Sequence, residues 1–545
     1  MTTETAGALA FPTPGPGTWL LDAVHMPRPF TRFQAAVHPP NLAVGCRESF
    51  RRYGLLVDTL DYRMINGLGF FAPVPAPDHD VPARFANAAD AVARKLWRED
   101  LARWTNEVKP ASVRDNLALQ SVDPATLDDA ELAAHIERCT AHLGRMVQQH
   151  HSLNSAAILP LGDFMAALSQ WTDAPLGQFL ALLRGSAPES AGTCAELEAA
   201  AQAIRASDGA SRILASPSTA RETLAALSAA PAPVGAAVQA YLDIVSWRLL
   251  DSLDTGDRAV IEAPEVIVEG LRAAVEGRKP QRVTEEEEAR LRALIPAEHR
   301  PAFDELLGEA RAMSRLRDER GLYSDVWAAG IARRALLEAG RRLVAKDRLY
   351  EPAHLIEADP DEIRLILSGQ GGPGADELAA RADDRLALRA SDAPPFLGDP
   401  PHPPPPLDGL PPPVQRLMRA LGIAIDALFA PSAAQSDVDV VRGTPASPGR
   451  YTGTARLVGS PDDFGRLQHG DVLVTSTTTE AFNLVLPMLG AIVTDNGGLL
   501  SHAAIVSREY GIPGVVGCLD ATARISDGAR VTVDGSTGEI RLEPS

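Results

Sequence analysis

Apolar residues recur at three- and four-residue spacing through most of the chain between residues 83 and 380. Leu132, Ile136, Cys139, Leu143 and Met146 form one such stripe, with charged residues between them. Trp327, Ile331, Ala335, Ala339 and Leu343 form another. This period marks amphipathic helices. Several of them without intervening strands predict a helical domain around one large core. The pattern changes near Val440. Asp471–Thr475 and Ala491–Thr494 are short apolar runs that read as buried strands, and Asp527–Ile540 reads as strand–turn–strand with glycine at the turns. This last stretch predicts a compact β/α unit.

Proline separates the two patterns. Pro394-Pro395, Pro400-Pro401, Pro403–Pro406 and Pro411–Pro413 follow one another closely, and such a run adopts polyproline II and acts as a semi-rigid spacer. A helix around Val414–Phe429 follows it. The organisation read from the chain is a flexible, Pro/Gly-rich lead-in over residues 1–18, a mainly helical domain over 19–393, a Pro-rich linker with a connecting helix over 394–439, and the β/α domain over 440–545. A hinge and an inert linker look the same in sequence.

Composition narrows the class. A chain of 545 residues, 45% hydrophobic and 23% charged, suits a soluble protein of several domains. The net charge of -19 opposes a nucleic-acid or anionic membrane surface. Cys46, Cys139, Cys194 and Cys518 are scattered, with no CxxC pair or Cys/His cluster, which argues against a disulfide scaffold or structural zinc and fits a reducing cytoplasm. The first residues lack the features of a signal peptide, and no apolar run reaches membrane-spanning length. The expected location is cytoplasmic.

Candidate chemistry concentrates in Thr494–Pro513. A buried strand, Ala491–Thr494, leads through Gly497-Gly498 to Ser501, which stands as N-cap before a helical pattern, so that His502 occupies the first helical turn. That end of a helix offers free backbone N–H groups and the positive pole of the dipole. Gly497 and Gly498 let amides approach an anion without a Cβ in the way. A histidine there is suited to carry a phosphoryl group, whereas a histidine met in isolation would read as an exposed capping residue.

Gly497-Gly-Leu-Leu-Ser-His-Ala-Ala-Ile-Val-Ser-Arg-Glu-Tyr-Gly-Ile-Pro-Gly-Val-Val-Gly517 resembles the phosphohistidine motif of the phosphoenolpyruvate-utilising enzymes, a group that includes phosphoenolpyruvate synthase, pyruvate phosphate dikinase, rifampicin phosphotransferase and phenylphosphate synthase. The resemblance implies a multidomain fold, with a large, mainly α-helical substrate-binding domain and a C-terminal β/α swivelling domain that shuttles phosphate. Gly443–Val458 resembles the opening of that mobile domain. Thr477, Thr478 and Thr479 fall where hydroxyls could donate to a phosphate, and they also suit a helix N-cap. Glu480-Ala-Phe482-Asn483 departs from the Asp-Pro-Xaa-Trp often found next, which puts the usual docking surfaces in doubt.

In the helical part, Trp19–Arg32, with His25, Arg28 and Arg32, is similar to the Trp/His/Pro/Arg opening of the substrate domain in relatives of rifampicin phosphotransferase and phenylphosphate synthase. Tyr62–Phe71, with Asn66, resembles a second segment of it. Leu183–Ser190, Tyr241–Arg248 with Glu262–Glu265, and Asp318–Arg334 are further similar pieces; the second lacks the Tyr-Gly-Xaa-Arg usual there. His150 and His151 end a helix. Neighbouring helical residues point about 100° apart, a poor metal pair unless a third ligand joins them, so they read as a polar end to a substrate pocket or as capping residues. Arg320, Tyr323 and Asp325 read as a helix start, explained by an ion pair or cap, or as pocket residues. Glu285–Glu288 reads as a solvated helix start. No metal-ligating set is expected.

Two functions compete, with a non-catalytic or regulatory binding protein behind them. In the first, His502 carries a phosphoryl group to a small hydroxylated substrate in the helical domain. An ATP-grasp domain or phosphoenolpyruvate barrel needs a few hundred residues of mixed α/β pattern, which residues 83–380 do not show, and no Walker-type loop is found. ATP and Mg²⁺ are therefore expected on a separate ATP-grasp partner, with no cofactor held by this chain. In the second, a stand-alone enzyme uses His502 as general acid or base in a dehydration, isomerisation or cyclisation. Arg508, nearly two turns further on, lies on another face and reads as structural more readily than as a cation beside the transferred group.

Overall fold

The computed structural model describes residues 9–187, 192, 194–250, 253–277, 282–429, 437, 439–479, 482–483 and 485–543. Pro188, Glu189 and Ser190 of the Leu183–Ser190 piece, the 430–436 stretch and Glu480-Ala481 lie outside them, as do residues 1–8 of the lead-in.

The helical domain is built on long helices. Helix α1 spans Arg32–Arg52, α2 spans Asp129–Ser152, α3 spans Asn154–Trp171, α4 spans Arg300–Leu322 and α5 spans Asp325–Val344. Helix α2 starts at a capping box, in which Asp128 accepts from the Glu131 amide and Glu131 reaches back to the Asp128 amide. Its stripe of Leu132, Ile136, Cys139, Leu143 and Met146 is buried, as is the Trp327–Leu343 stripe of α5. The acidic run at Glu285 opens a helix capped by Thr284.

Helices α1 and α2 cross closely. A Cβ on Gly45 would stand 2.3 Å from the Gln148 carbonyl, so only glycine fits this crossing. Helix α1 also carries Pro39 and Pro40 in its interior. Proline lacks the N–H that would reach back one turn; close by, Asn41 Nδ2 donates to the Val37 carbonyl at 2.8 Å.

The periodicity missed a sheet. Strands β1 (Thr18–Leu21), β2 (Val57–Ile65), β3 (Leu68–Pro75) and β4 (Phe396–Gly398) form an antiparallel sheet in the order β2-β3-β1-β4. Asn66-Gly67 makes the β2–β3 hairpin turn, both residues at positive φ, as a two-residue hairpin requires. The proline-rich stretch begins on β4 of this sheet. It ends in α6 (Pro412–Phe429), which packs so closely on α3 that a Cβ on Gly162 would lie 2.0 Å from the Ala420 carbonyl. Helix α6 is therefore a wall of the helical domain.

The C-terminal unit is β/α. Strands β5 (Val440–Arg442), β6 (Thr444–Ser447), β7 (Arg450–Leu457), β8 (Val472–Thr475), β9 (Ala491–Thr494), β10 (Gly514–Val516), β11 (Arg530–Asp534) and β12 (Glu539–Leu542) make one sheet. Its order is β5-β12-β11-β7-β8-β9-β10-β6, with β7 through β10 parallel. Helix α7 (His502–Tyr510) follows β9. Among the described residues, no helix is long and apolar enough to cross a membrane.

Candidate functional site

His502 stands as the first residue of α7, at the C-terminal ends of the parallel strands β8 and β9, where ligands of α/β sheets collect. Ser501 is the N-cap, its side chain accepting from the Ala504 amide. The loop after β8 brings Thr478 Oγ1 to 2.9 Å from His502 Nδ1. The neighbouring threonines do different work. The Thr477 carbonyl accepts from Thr475 Oγ1, and the Thr479 carbonyl accepts from the Phe482 amide. Thr479 Oγ1 is buried without a hydrogen-bond partner among the described residues.

Glycine is needed twice in the histidine loop, for different reasons. Gly497 has φ +101°, and a Cβ there would meet the Ser501 side chain. A Cβ on Gly498 would stand 2.2 Å from the Ala427 carbonyl of α6. The loop is thus seated on the helical domain. The Leu500 amide donates to the Ala427 carbonyl at 2.9 Å, the Arg317 guanidinium of α4 donates to the Leu500 carbonyl, and the Leu500 side chain enters the core formed by Leu161, Phe164 and Phe303. At the far end of α7, Glu509 accepts from the Gly185 amide at 2.7 Å. Arg508 is buried, donating to the carbonyls of Ala446 and Leu499 at 3.0 and 2.8 Å. Burial, and then the charge of Arg317, lower its pKa to about 9. It holds the C-terminal unit's own backbone together.

One helical turn beyond Arg317 lies the second half of the site. Arg320 donates from Nε to the Arg317 carbonyl, and from Nη1 to the His150 carbonyl at 3.0 Å and to Asn154 Oδ1. His150 Nδ1 lies 2.8 and 2.9 Å from the two Asp325 oxygens. The rings of His150 and His151 stack 4.5 Å apart with an interplanar angle of 1°, and His38 of α1 meets His151 edge-on at 5.6 Å. His25 joins from the other side. Its Nδ1 bonds Asp22, which also accepts from the Tyr62 hydroxyl, and its ring lies 5.5 Å from Phe429 at the end of α6.

The electrostatics follow from burial. Desolvation holds His38, His150 and His151 below the ordinary histidine pKa, for the last two well below. Burial raises Asp325 to about 7, against the opposing charge of His38. Burial would also raise Asp22, but the charge and hydrogen bonds of His25 outweigh it and hold Asp22 low.

The structure brings His25, His150, His151, Arg320 and Asp325 together. Arg28 pairs with Asp257 at 3.0 Å in a cleft that His25 also lines. The others stand apart. Arg32 is on the surface near Glu362, and Asn66 in its hairpin donates to the Ala10 carbonyl. The Tyr323 ring faces the cations of Lys109 and Arg248. The expected helix start at Arg320–Asp325 is a helix junction: Arg320 lies in the last turn of α4, Tyr323 caps it, and Asp325 opens α5. Asp325 is also the third group that the two adjacent histidines lacked, so that His150, His151 and Asp325 form a group of metal-ligating types where none was expected. Asp22, His38, Tyr62 and Asn154 were missed; the prolines after His38 gave the one local hint of an unusual helix.

The fold and the site define a β/α histidine unit seated on a helical domain with a buried polar cluster of histidines and carboxylates. Residues 467–538 match the PEP-utilising enzyme mobile domain, and residues 150–320 match the rifampicin phosphotransferase fourth domain. The chain is 27% identical to chondramide synthase cmdD of Chondromyces crocatus over 96% of its own length and 14% of that protein. It is 30% identical to a rifampicin phosphotransferase of Streptomyces sp over 56% of its length and 34% of the relative. It is 48% identical to the phosphoenolpyruvate synthase of Aeropyrum pernix over 102 residues, 18% of this chain and 12% of that enzyme. The chain is thus related to the phosphoenolpyruvate-utilising enzymes and spans only a minor part of each of these relatives.

Proposed function

We propose that the chain is a phosphotransferase component in which His502 carries a phosphoryl group to a small hydroxylated molecule held in the helical domain. The observation that carries this reading is the seating of the His502 loop on Ala427 and Arg317, next to the polar cluster of His25, His150 and Asp325. Thr478 accepting Nδ1–H would leave the nucleophilic lone pair on Nε2. The N-terminus of α7 favours the anion that forms there. ATP with Mg²⁺, on a separate ATP-grasp-type partner, would supply the phosphoryl group; no residue of this chain is assigned to them. Catalysis is then positioning and charge stabilisation.

The test is incubation with radiolabelled ATP and an ATP-grasp partner. Acid-labile, base-stable label that His502→Ala abolishes supports the reading. The second reading, general acid–base chemistry without phosphoryl transfer, draws on the two carboxylate-oriented imidazoles, Asp22–His25 and Asp325–His150. Absence of label with every partner, while His502→Ala still abolishes substrate turnover, would decide for it.

A further inference from the structure

The histidine pair at the end of α2 has its protons placed by its neighbours. Arg320 can only donate, so the Asn154 atom it faces is the amide oxygen. The Asn154 NH₂ group is then turned toward Cys46 Sγ and, at 3.2 Å, His151 Nδ1. His151 must accept there, which puts the proton of its neutral ring on Nε2. That Nε2–H is shielded from solvent and has no hydrogen-bond partner among the described residues. A buried donor left unmatched is costly, and it asks for an acceptor.

His150 has the opposite arrangement once Asp325 is ionised, above about pH 7. Its Nδ1 faces both oxygens of that carboxylate, which holds the ring proton on that side and leaves the lone pair on Nε2. The two rings are stacked face to face, so a lone pair and an N–H donor belong to one small polar patch. A hydroxyl has the matching faces, one proton to give and an oxygen to receive. A shared metal ion does not fit: an ion lies in the plane of each imidazole that binds it, and two parallel planes do not meet.

We propose that His150 and His151 form the acceptor-hydroxyl site, His150 as the base oriented by Asp325 and His151 as the donor that holds the oxygen. The proposal rests on the phosphotransfer reading for the identity of the reaction. In the step, the substrate O–H proton passes to His150 Nε2 and the oxygen bonds to phosphorus. The P–N bond to His502 breaks, its electron pair returning to the imidazole. Arg320 and Asn154 are positioning residues, acting through His151.

Two measurements test this on the full chain. Nitrogen-15 histidine NMR at about pH 8.5, where Asp325 is ionised, with assignments from His150→Gln and His151→Asn, should show opposite tautomers, Nδ1–H for His150 and Nε2–H for His151. Asn154→Leu should release the His151 preference and leave His150 unchanged. Equal tautomers, or an imidazolium at either position, overturn the proposal whether or not phosphate is ever transferred. In the second, His502 is loaded chemically with phosphoramidate, and loss of phosphohistidine to added phenol is followed. His150→Gln should load as the parent does and transfer at least tenfold more slowly, and transfer at the parental rate overturns the proposal. A parent chain that cannot be loaded refutes the phosphotransfer reading instead, and the tautomers still decide the hydroxyl site.

Discussion

The Leu500 amide donates to the Ala427 carbonyl over 2.9 Å, and two residues beyond Ala427 the Phe429 ring lies against His25. One short piece of helix end therefore touches both the histidine loop and His25 of the polar cluster.

Gly498→Ala should unseat the loop. Its Cβ would stand 2.2 Å from a main-chain oxygen that cannot turn aside, and overpacking of this kind costs about 1–3 kcal/mol. Hydrogen exchange should rise at the Leu500 amide, and thermal stability of the helical domain should fall because the Leu500 side chain leaves its core. Unchanged exchange there would refute the contact's role.

Thr478→Val keeps the shape and removes the hydroxyl from His502 Nδ1. A hydrogen bond of this kind is worth about 1 kcal/mol net, so phosphorylation of His502 should slow several-fold and Thr478→Ser should restore it. Equal rates for Val and Ser would assign Thr478 a packing role only.

Arg508→Lys should destabilise the C-terminal unit. The guanidinium serves two carbonyls at once, and an ammonium on a flexible stem cannot reproduce that fork. The expected loss is about 1–3 kcal/mol in chemical unfolding; a change within error would contradict it.

The pH dependence of stability has opposing parts. Asp325 releases its proton near 3.8 when unfolded and near 7 when folded, so its contribution is present at low pH and is lost as pH rises between them. Over that range it amounts to at most about 4 kcal/mol. His38, His150 and His151 are held below 6.5, so their contribution grows as pH rises toward 6.5. Asp325→Asn removes the opposing part. Its stability should climb more steeply with pH than the parent's in denaturant titrations between pH 4.5 and 6.5; parallel curves would rule this out.

The part of the molecule that was legible is the part with local causes. The Ala491–Thr494 strand, the Ser501 cap and His502 follow within a dozen residues, and the α2 and α5 stripes declare themselves by period alone. The polar cluster has no such signature. Asp325 reaches His150 across 175 positions and Tyr62 reaches Asp22 across 40, and no spacing rule spans those distances. His38 was hidden because Pro39-Pro40 argues against the helix that contains it. The β1–β4 pairing was hidden because β4 comes from the far end of the domain, more than 370 residues after β1; the β2–β3 hairpin did carry a local signal, Asn66-Gly67, that was not read as a turn.

The seat of the histidine loop is made largely from main chain: a carbonyl of α6, an amide and carbonyl of Leu500, and a glycine with nothing to obstruct the approach. Main-chain atoms are the same in every residue, so mutation of most surrounding side chains leaves this handshake intact. A second station offering a helix end of similar shape could be visited by the same loop without any relearning of sequence.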